Sequence, residues 1–393
     1  SEWQSLVEDV DRAFVFQGEY ATFVPDSNYI VLWYIDRNDV RVEQMQIGDE
    51  SPTELFETNA EARVFGFIES DPFAVYLTET RDFDDYRCHV SLDGIEADRL
   101  ARGSNCAIFE NGVVLQDRDN NGLTTTLISL DGEDETVILD EAEDVTDIRG
   151  NEDLSRFAYV EIGRGDAQLF LISPGDEAGE EFGDEFAVIE SFGFLPDGET
   201  VYVIGKLDED DDDLGLFING TGDALLEAPV ITRWTQSEDG DFVVFVTDDS
   251  DEEVAYVYRV ADETFAELLE ADDLSKISFV AEDRILLRVQ DRDDAVLISA
   301  LSDGSESVEL FKEDNYTIDF SYFNTAVQQA LLQLQDTDDL YSIFVTGLEE
   351  EDGYFLLEEW DLINILTASE EYLIFSGRED RGDDVVLYSI PWE

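Results

Sequence analysis

Short apolar runs alternate along the chain with acidic or glycine-bearing turns, and the alternation is regular. In SFGFLPDGETVYVIG, residues 191–205, one apolar run meets Pro196-Asp197-Gly198, and a second follows in which Val201, Val203 and Ile204 require burial. The same order starts at Ala21, where ATFVPDSNYIVLWYID leads through an acidic hairpin into VRVEQMQIG and then TELFET. Related units open at Ala62, Asn105, Asp144, Ser191, Ile231, Ile277 and Tyr316, and a last one from Leu362 supplies three strands and stops.

Strands of about five to eight residues, rich in Val, Ile, Phe, Tyr and Leu and repeated roughly every 40 to 45 residues, predict propeller blades. A four-stranded blade has two apolar faces and cannot cover both alone, whereas blades set around an axis cover one another. That is why VVFV (243–246) and LIF (373–375) run on without alternating: both faces of those strands are expected to be buried. The expected fold class is therefore all-β, a β-propeller of eight or nine four-stranded blades. The units count to nine, and the usual range of four to eight blades keeps eight open. The N-terminal segment would lend the last unit its missing strand, with RAFVF at 12–16 as the candidate. Residues 1–10 would then form a cap or short helix, and residues 11–393 a single propeller domain. Two smaller propellers in tandem would call for a linker, and no Pro/Gly/Ser stretch marks one.

Composition changes the picture in one respect. Of 393 residues 43% are hydrophobic, enough for a large core, yet 98 acidic against 22 basic residues give a formal charge of -76. The acids are spread along the whole chain, and Lys206, Lys276 and Lys312 are its lysines. Such a field strains the compact state at ordinary salt, while at about 1 M the Debye length falls to roughly 3 Å. The expectation is a protein adapted to high salt, from a halophilic organism. An acidic lure for basic proteins, the competing reading, predicts acids gathered on one element. The charge speaks against binding nucleic acid. No stretch approaches the roughly 18 consecutive apolar residues of a membrane span, so direct membrane insertion is not expected.

Candidate chemistry is sparse. His89 is the one histidine, and no GxSxG elbow occurs, so a Ser-His-Asp set has no support. His89 itself reads as an ordinary strand residue. Hydrolysis by two carboxylates would need positioned acids, and the abundance of acids hides any pair. DRDNNG, residues 117–122, places Asp117, Asp119 and Asn121 at alternate positions before Gly122, as in the first half of a calcium loop. Its twelfth position is Ile128 instead of a bidentate Glu, and a plain hairpin turn is the competing reading. These three residues are the metal candidate, for Ca2+, and no other cofactor is expected. The runs DEDDDD (208–213) and DDSDEE (248–253) read as solvated hairpins. Trp33, Trp234 and Trp360 lie in or beside strands and read as packing residues. Arg381-Gly382-Asp383 and the sequons at Asn219 and Asn315 read as chance matches. Cys88 and Cys106 allow either one disulfide or two buried thiols.

The turn-and-strand pattern FLPDGETVYVIG, with SLDG at 91–94 and 129–132 and LSDG at 301–304, resembles the repeats of TolB-like propellers. Similar repeats occur in the propeller domain of prolyl-oligopeptidase-type peptidases. The resemblance covers nearly the whole chain and implies a binding platform and no particular chemistry. The function expected is a non-catalytic platform for a protein or cell-surface component, outside the cell or on its surface, with the cytoplasm as the alternative. The alternative function is a carboxylate-dependent hydrolase or lyase acting on carbohydrate or peptide in the propeller channel. An enzyme should show two acids with raised pKa in an aromatic-lined hollow. A platform should show exposed apolar side chains on a surface otherwise covered in carboxylates.

Overall fold

The structure is a computed structural model. It describes residues 4–5, 21–23, 29–36, 39–46, 52–68, 74–82, 85–92, 96–109, 111–130, 132, 134–237, 239–249, 252–272, 274–281, 284–291, 294–314, 316–324, 329–348, 353–368, 372–379 and 386–391. Every regular element among them is a strand, and the strands form nine four-stranded antiparallel sheets. Eight sheets are built from four consecutive strands: blade 1 (21–58), blade 2 (61–103), blade 3 (105–142), blade 4 (145–186), blade 5 (188–228), blade 6 (230–271), blade 7 (274–314) and blade 8 (316–360). Blade 9 joins three strands from 362–391 to Gln4–Ser5 from the start of the chain. The fold is a nine-bladed β-propeller.

The N-terminal segment completes the last blade, as expected, but the strand that does so is Gln4–Ser5, paired with Ser389 and Tyr388. The segment 12–16 lies outside the described residues, as do Asn315 and the tripeptide at 381–383. Blade 4 also carries a fourth strand, Glu180–Phe186, whose acidic sequence does not predict one. No helix among the described residues is long and apolar enough to cross a membrane.

Two compact units divide the chain, one of Ser1–Leu100, Gln290–Ser299 and Val308–Glu393, the other of Ala101–Val289 and Ala300–Ser307. In the first, blade 8 packs on blade 9 through Leu331, Ile343, Val345 and Trp360 against Ile363, Leu373 and Phe375. Trp360 meets Phe375 and Tyr388 edge-on, which makes it a packing residue as expected. Blade 1 packs on blade 2 through Val31, Val42 and Leu55 against Val75 and Leu77.

In the second unit, blade 5 shows how alternation serves two neighbours at once. Val201 and Val203 point into a cluster with Ala158, Leu169 and Phe186 of blade 4. Tyr202 and Ile204 point the other way, onto Ile231, Val243 and Phe245 of blade 6. One strand thus carries two apolar faces, which is the burial expected of its sequence.

The turns repeat with the strands. In blade 5 the Gly198 amide donates to Leu195 O at 3.0 Å, and the Asp197 carboxylate accepts from the Glu199 and Thr200 amides. Gly198, at φ 69, and Gly240, the corresponding glycine of blade 6 at φ 76, adopt backbone that glycine tolerates best. These turns also touch each other. Asn151 of blade 4 donates to Gly198 O at 3.1 Å, and a Cβ on Gly240 would stand 2.6 Å from Pro196 Cβ. The Asp-Gly turns therefore join neighbouring blades as well as reversing the chain. Both cysteines are disulfide-bonded, which leaves no free thiol.

Candidate binding groove and its acidic rim

Blade 5 carries a concave surface, and its sequence explains why. Gly205 and Gly215 sit opposite each other on the second and third strands, so no side chain fills the space between those positions. A Cβ on Gly215 would stand 2.7 Å from the Phe217 ring and 3.0 Å from Ala224 Cβ, closing the floor. The fourth strand is short, Leu226–Ala228, and pairs only with Leu214–Leu216, which leaves the end of the third strand uncovered. The result is a groove of about 600 Å³, with Leu207, Phe217, Leu225 and Leu226 among its apolar lining and Asp211, Asp212, Asp213, Asp223 and Glu227 among its acids. Leu207 is 42% exposed and Leu225 46%.

One cation stands at the edge. The Lys206 ammonium donates to the backbone carbonyls of Asp211 and Asp212, at 2.8 and 2.9 Å. It holds the acidic loop 208–213 through its backbone and leaves the carboxylates of Asp212 and Asp213 without a hydrogen-bond donor among the described residues. The Asp211 carboxylate accepts from the Asp208 amide, so that loop is folded on itself.

At the end of blade 5 where Lys206 and the loop 208–213 stand, neighbouring blades are alike. Val188 pairs with Lys206 at that end of blade 5, Ile162 with Ala167 in blade 4, and Val230 with Asp248 in blade 6. Because blades 4, 5 and 6 pack side by side, these ends form one rim. Ile162, Val188 and Val230 are all substantially exposed on it. Acids crowd around them. A hydrogen bond and the charge of Asp166 push the Glu185 carboxyl up, and Glu270 does the same to Glu252, helped by Asp272 and Asp249. Burial followed by the Asp144 charge raises Glu161. The rim is a surface of exposed aliphatics among like-charged neighbours.

A different constellation lies in the seam between blades 1 and 2. Glu79, on the strand Ala74–Asp82, is 2% exposed and is the one buried acid among the described residues. Thr58 Oγ1 donates to its Oε1 at 2.6 Å and Arg81 Nε to the same oxygen at 2.8 Å. His89 Nε2 lies 3.1 Å from Oε2, and the Arg87 guanidinium 3.7 Å from it. Arg87 also grips Asp85 through two nitrogens, at 3.3 and 3.0 Å. Burial pushes the Glu79 carboxyl up, but the bonds from Thr58, Arg81 and His89 with the Arg81 charge prevail, and its pKa is lowered. Burial also lowers the His89 pKa, against the pull of Glu79. A carboxylate only accepts, so the neutral His89 carries its proton on Nε2 and donates it. His89 is thus a strand residue, as read from sequence, with a buried ionised partner that the sequence did not reveal. Both acid and imidazole are committed to each other and to the seam.

The calcium candidates stand on the hairpin between Gly112–Asp119 and Gly122–Ile128. Asp117 accepts from Ser104 Oγ at 2.9 Å, and Asp119 from the Asn121 amide at 2.7 Å. Asn121 turns its amide nitrogen toward Glu141 at 3.3 Å. Gly122 is required by close approach, since a Cβ there would lie 2.5 Å from the Ala142 carbonyl carbon. Each residue is therefore engaged within blade 3 or by the segment just before it. Among the described residues no group of three or more His, Cys, Asp or Glu is arranged to hold a metal.

No protein-family model matches the chain, and no curated protein matches it. Solved structures do. A eukaryotic initiation factor is 9% identical over 91% of this chain and 96% of its own, with a TM-score of 0.57. Dipeptidyl peptidase 4 of Porphyromonas gingivalis is 11% identical over 91% of this chain and 56% of its own, with a TM-score of 0.52. TolB from Acinetobacter baumannii is 12% identical over 72% of this chain and 79% of its own, with a TM-score of 0.37. At these identities the likeness to the first two shows the fold alone, and that fold is shared by a protein named for a reaction and one that is not.

Proposed function

We propose that this protein is a non-catalytic β-propeller that serves as a protein-binding platform, with the groove of blade 5 and the adjoining rim as its contact surface. The observation that carries this reading is the exposure of Leu207 and Leu225 in a concave surface bounded by carboxylates. Isolated apolar side chains on a protein surface are ordinary, but a rim with Ile162, Val188, Leu207 and Val230 all exposed on adjoining blade ends marks a site of contact. The enzymatic alternative would rest on paired acids in an aromatic-lined hollow. The carboxyls raised in pKa, Glu161, Glu185 and Glu252, stand instead at the rim, and the buried acid Glu79 is held ionised. We place the protein at high salt and outside the cell or on its surface. The overall charge supports the first and the bonded cysteines the second.

The test is photo-cross-linking at molar salt, with the reactive group substituted at Leu207, Val188 or Val230 and, as controls, at Asp153 or Asp197 in the turns of the opposite rim. Partner cross-links confined to the first set are expected. The same products from both sets would overturn the reading. So would turnover of an oligosaccharide or peptide that disappears when a single carboxylate is neutralised.

A further inference from the structure

We infer that the groove of blade 5 takes a short cationic segment carrying aliphatic side chains, an extended Lys- or Arg-bearing peptide with one or two leucine-like residues. This rests on the platform reading and names the chemistry of its ligand. The volume of about 600 Å³ lies within the roughly 300–1,000 Å³ of small-ligand sites, which suits a few side chains of a peptide and not a folded domain. Leu207 and Leu225 supply apolar contact from within the groove. The carboxylates of Asp212 and Asp213 meet no protein donor among the described residues. Lys206 places its ammonium against the carbonyls of Asp211 and Asp212 and not against the carboxylates beyond them. A second ammonium or guanidinium would be drawn to the carboxylates beyond them, while an acidic ligand would be repelled. A second copy of this chain, at a formal charge of -76, is opposed by the same field.

The segment therefore needs both features at once. Cations without aliphatics would find acids anywhere on this surface, and aliphatics without cations would forgo the loop. The salt dependence follows from this. Long-range attraction is screened at about 1 M, where the Debye length is roughly 3 Å, so the apolar contacts and the direct ion pairs must hold the ligand.

The experiment is fluorescence anisotropy on the full chain at molar salt with a labelled ten-residue peptide holding two leucines and four lysines in a Gly/Ser background. Two control peptides replace the leucines with serine or the lysines with glutamate. Saturable binding of the first peptide is expected, with both controls weaker by about tenfold or more, since each roughly 1.4 kcal/mol of lost contact is a factor of ten. Leu207→Ser with Leu225→Ser should weaken binding by about tenfold, and Asp212→Asn with Asp213→Asn by several-fold. Both leucines are exposed, and Lys206 is bonded to the backbone of the acidic loop, so these variants keep the fold; circular dichroism and melting check that. Equal binding of the serine control would show attraction to acids in general and overturn the inference. Binding indifferent to the groove substitutions, or no binding at all, would also overturn it. A concentration-dependent dimer lost in Leu207→Ser would assign the groove to a second copy. If partners cross-link at the rim but the peptide fails to compete with them, the platform reading survives and this ligand chemistry does not.

Discussion

Replacing Glu79 with glutamine removes one charge from the seam between blades 1 and 2 and changes almost no volume. Two donors, from Thr58 and Arg81, converge on Oε1, and His89 donates to Oε2. The amide of Glu79→Gln can keep its oxygen toward Thr58 and Arg81, but its nitrogen then faces His89 Nε2, which must give up its proton to Nδ1 to accept, and the charge that Arg81 and Arg87 meet is gone. Breaking a buried ion pair from one side costs about 3–5 kcal/mol, and a hydrogen bond to a charged group contributes about 1.5–3 kcal/mol. Arg81 has a side chain 43% exposed and can return to water, while Arg87 keeps Asp85, which places the loss near the lower end, about 3 kcal/mol.

The difference should depend on pH in a defined way. The folded-state pKa of Glu79 is lowered, so its contribution is fully present above its unfolded value of about 4.5 and is lost as pH falls through the folded value. His89 is also lowered, by burial first, so it too weakens the fold on acidification, in a window starting below about 6.5. Removing the Glu79 charge takes away what holds the His89 pKa up, while the Arg87 and Arg99 charges continue to press it down. The gap between wild type and Glu79→Gln should thus widen from pH 6.5 toward 5 and close below 4.5. Equilibrium unfolding in denaturant at molar salt measures it. Amide exchange across Ala74–Asp82 and Asp85–Leu92 locates the loss. A gap under about 1 kcal/mol at pH 7, or one that does not change down to pH 3, would refute the account of this seam.

Other expectations follow from other features. Lowering salt from about 1 M to 0.1 M lengthens the Debye distance from roughly 3 to 10 Å and should lower the melting temperature by calorimetry, whereas an unchanged melting temperature would remove the case for salt adaptation. Gly240→Ala combines φ 76 with a Cβ 2.6 Å from Pro196 Cβ, while Gly222, at φ 84, has nothing within 4 Å of the added atom. Gly222→Ala should therefore lose about 1–2 kcal/mol and Gly240→Ala clearly more; equal losses in denaturant unfolding would show that the contact between turns is immaterial. Cys88→Ser removes a disulfide-bonded cysteine and should destabilise by about 2–5 kcal/mol; unchanged unfolding would count against that bond.

Much of the architecture was readable because its causes are local. A run such as VVFV needs cover on both sides wherever it lies, and Phe245 and its neighbours are indeed fully buried. Pro196-Asp197-Gly198 makes its turn with its own carboxylate and amides, so the turn was legible from a few adjacent letters. The fourth strand of blade 4, EEFGDEF, was not. Only Phe182 and Phe186 turn inward, and the acids between them resemble the chain's many loops. Hydrophobicity favours 12–16 as the closing strand, while Gln4–Ser5 makes the pairing through backbone groups that polar residues also possess. Glu79 could not be picked from 98 acids, because what distinguishes it is Thr58 on the preceding blade.

The amino-acid order alone determined the strands, their turns, the blade period and a surface dominated by negative charge, because alternation and turn chemistry act over a few residues. Tertiary structure alone decided which acid is enclosed and held ionised, which leucines remain open in a groove, and that aliphatics from three blades meet on one rim. Those outcomes depend on distances between residues far apart in the chain, and such distances are set by how one sheet packs against the next.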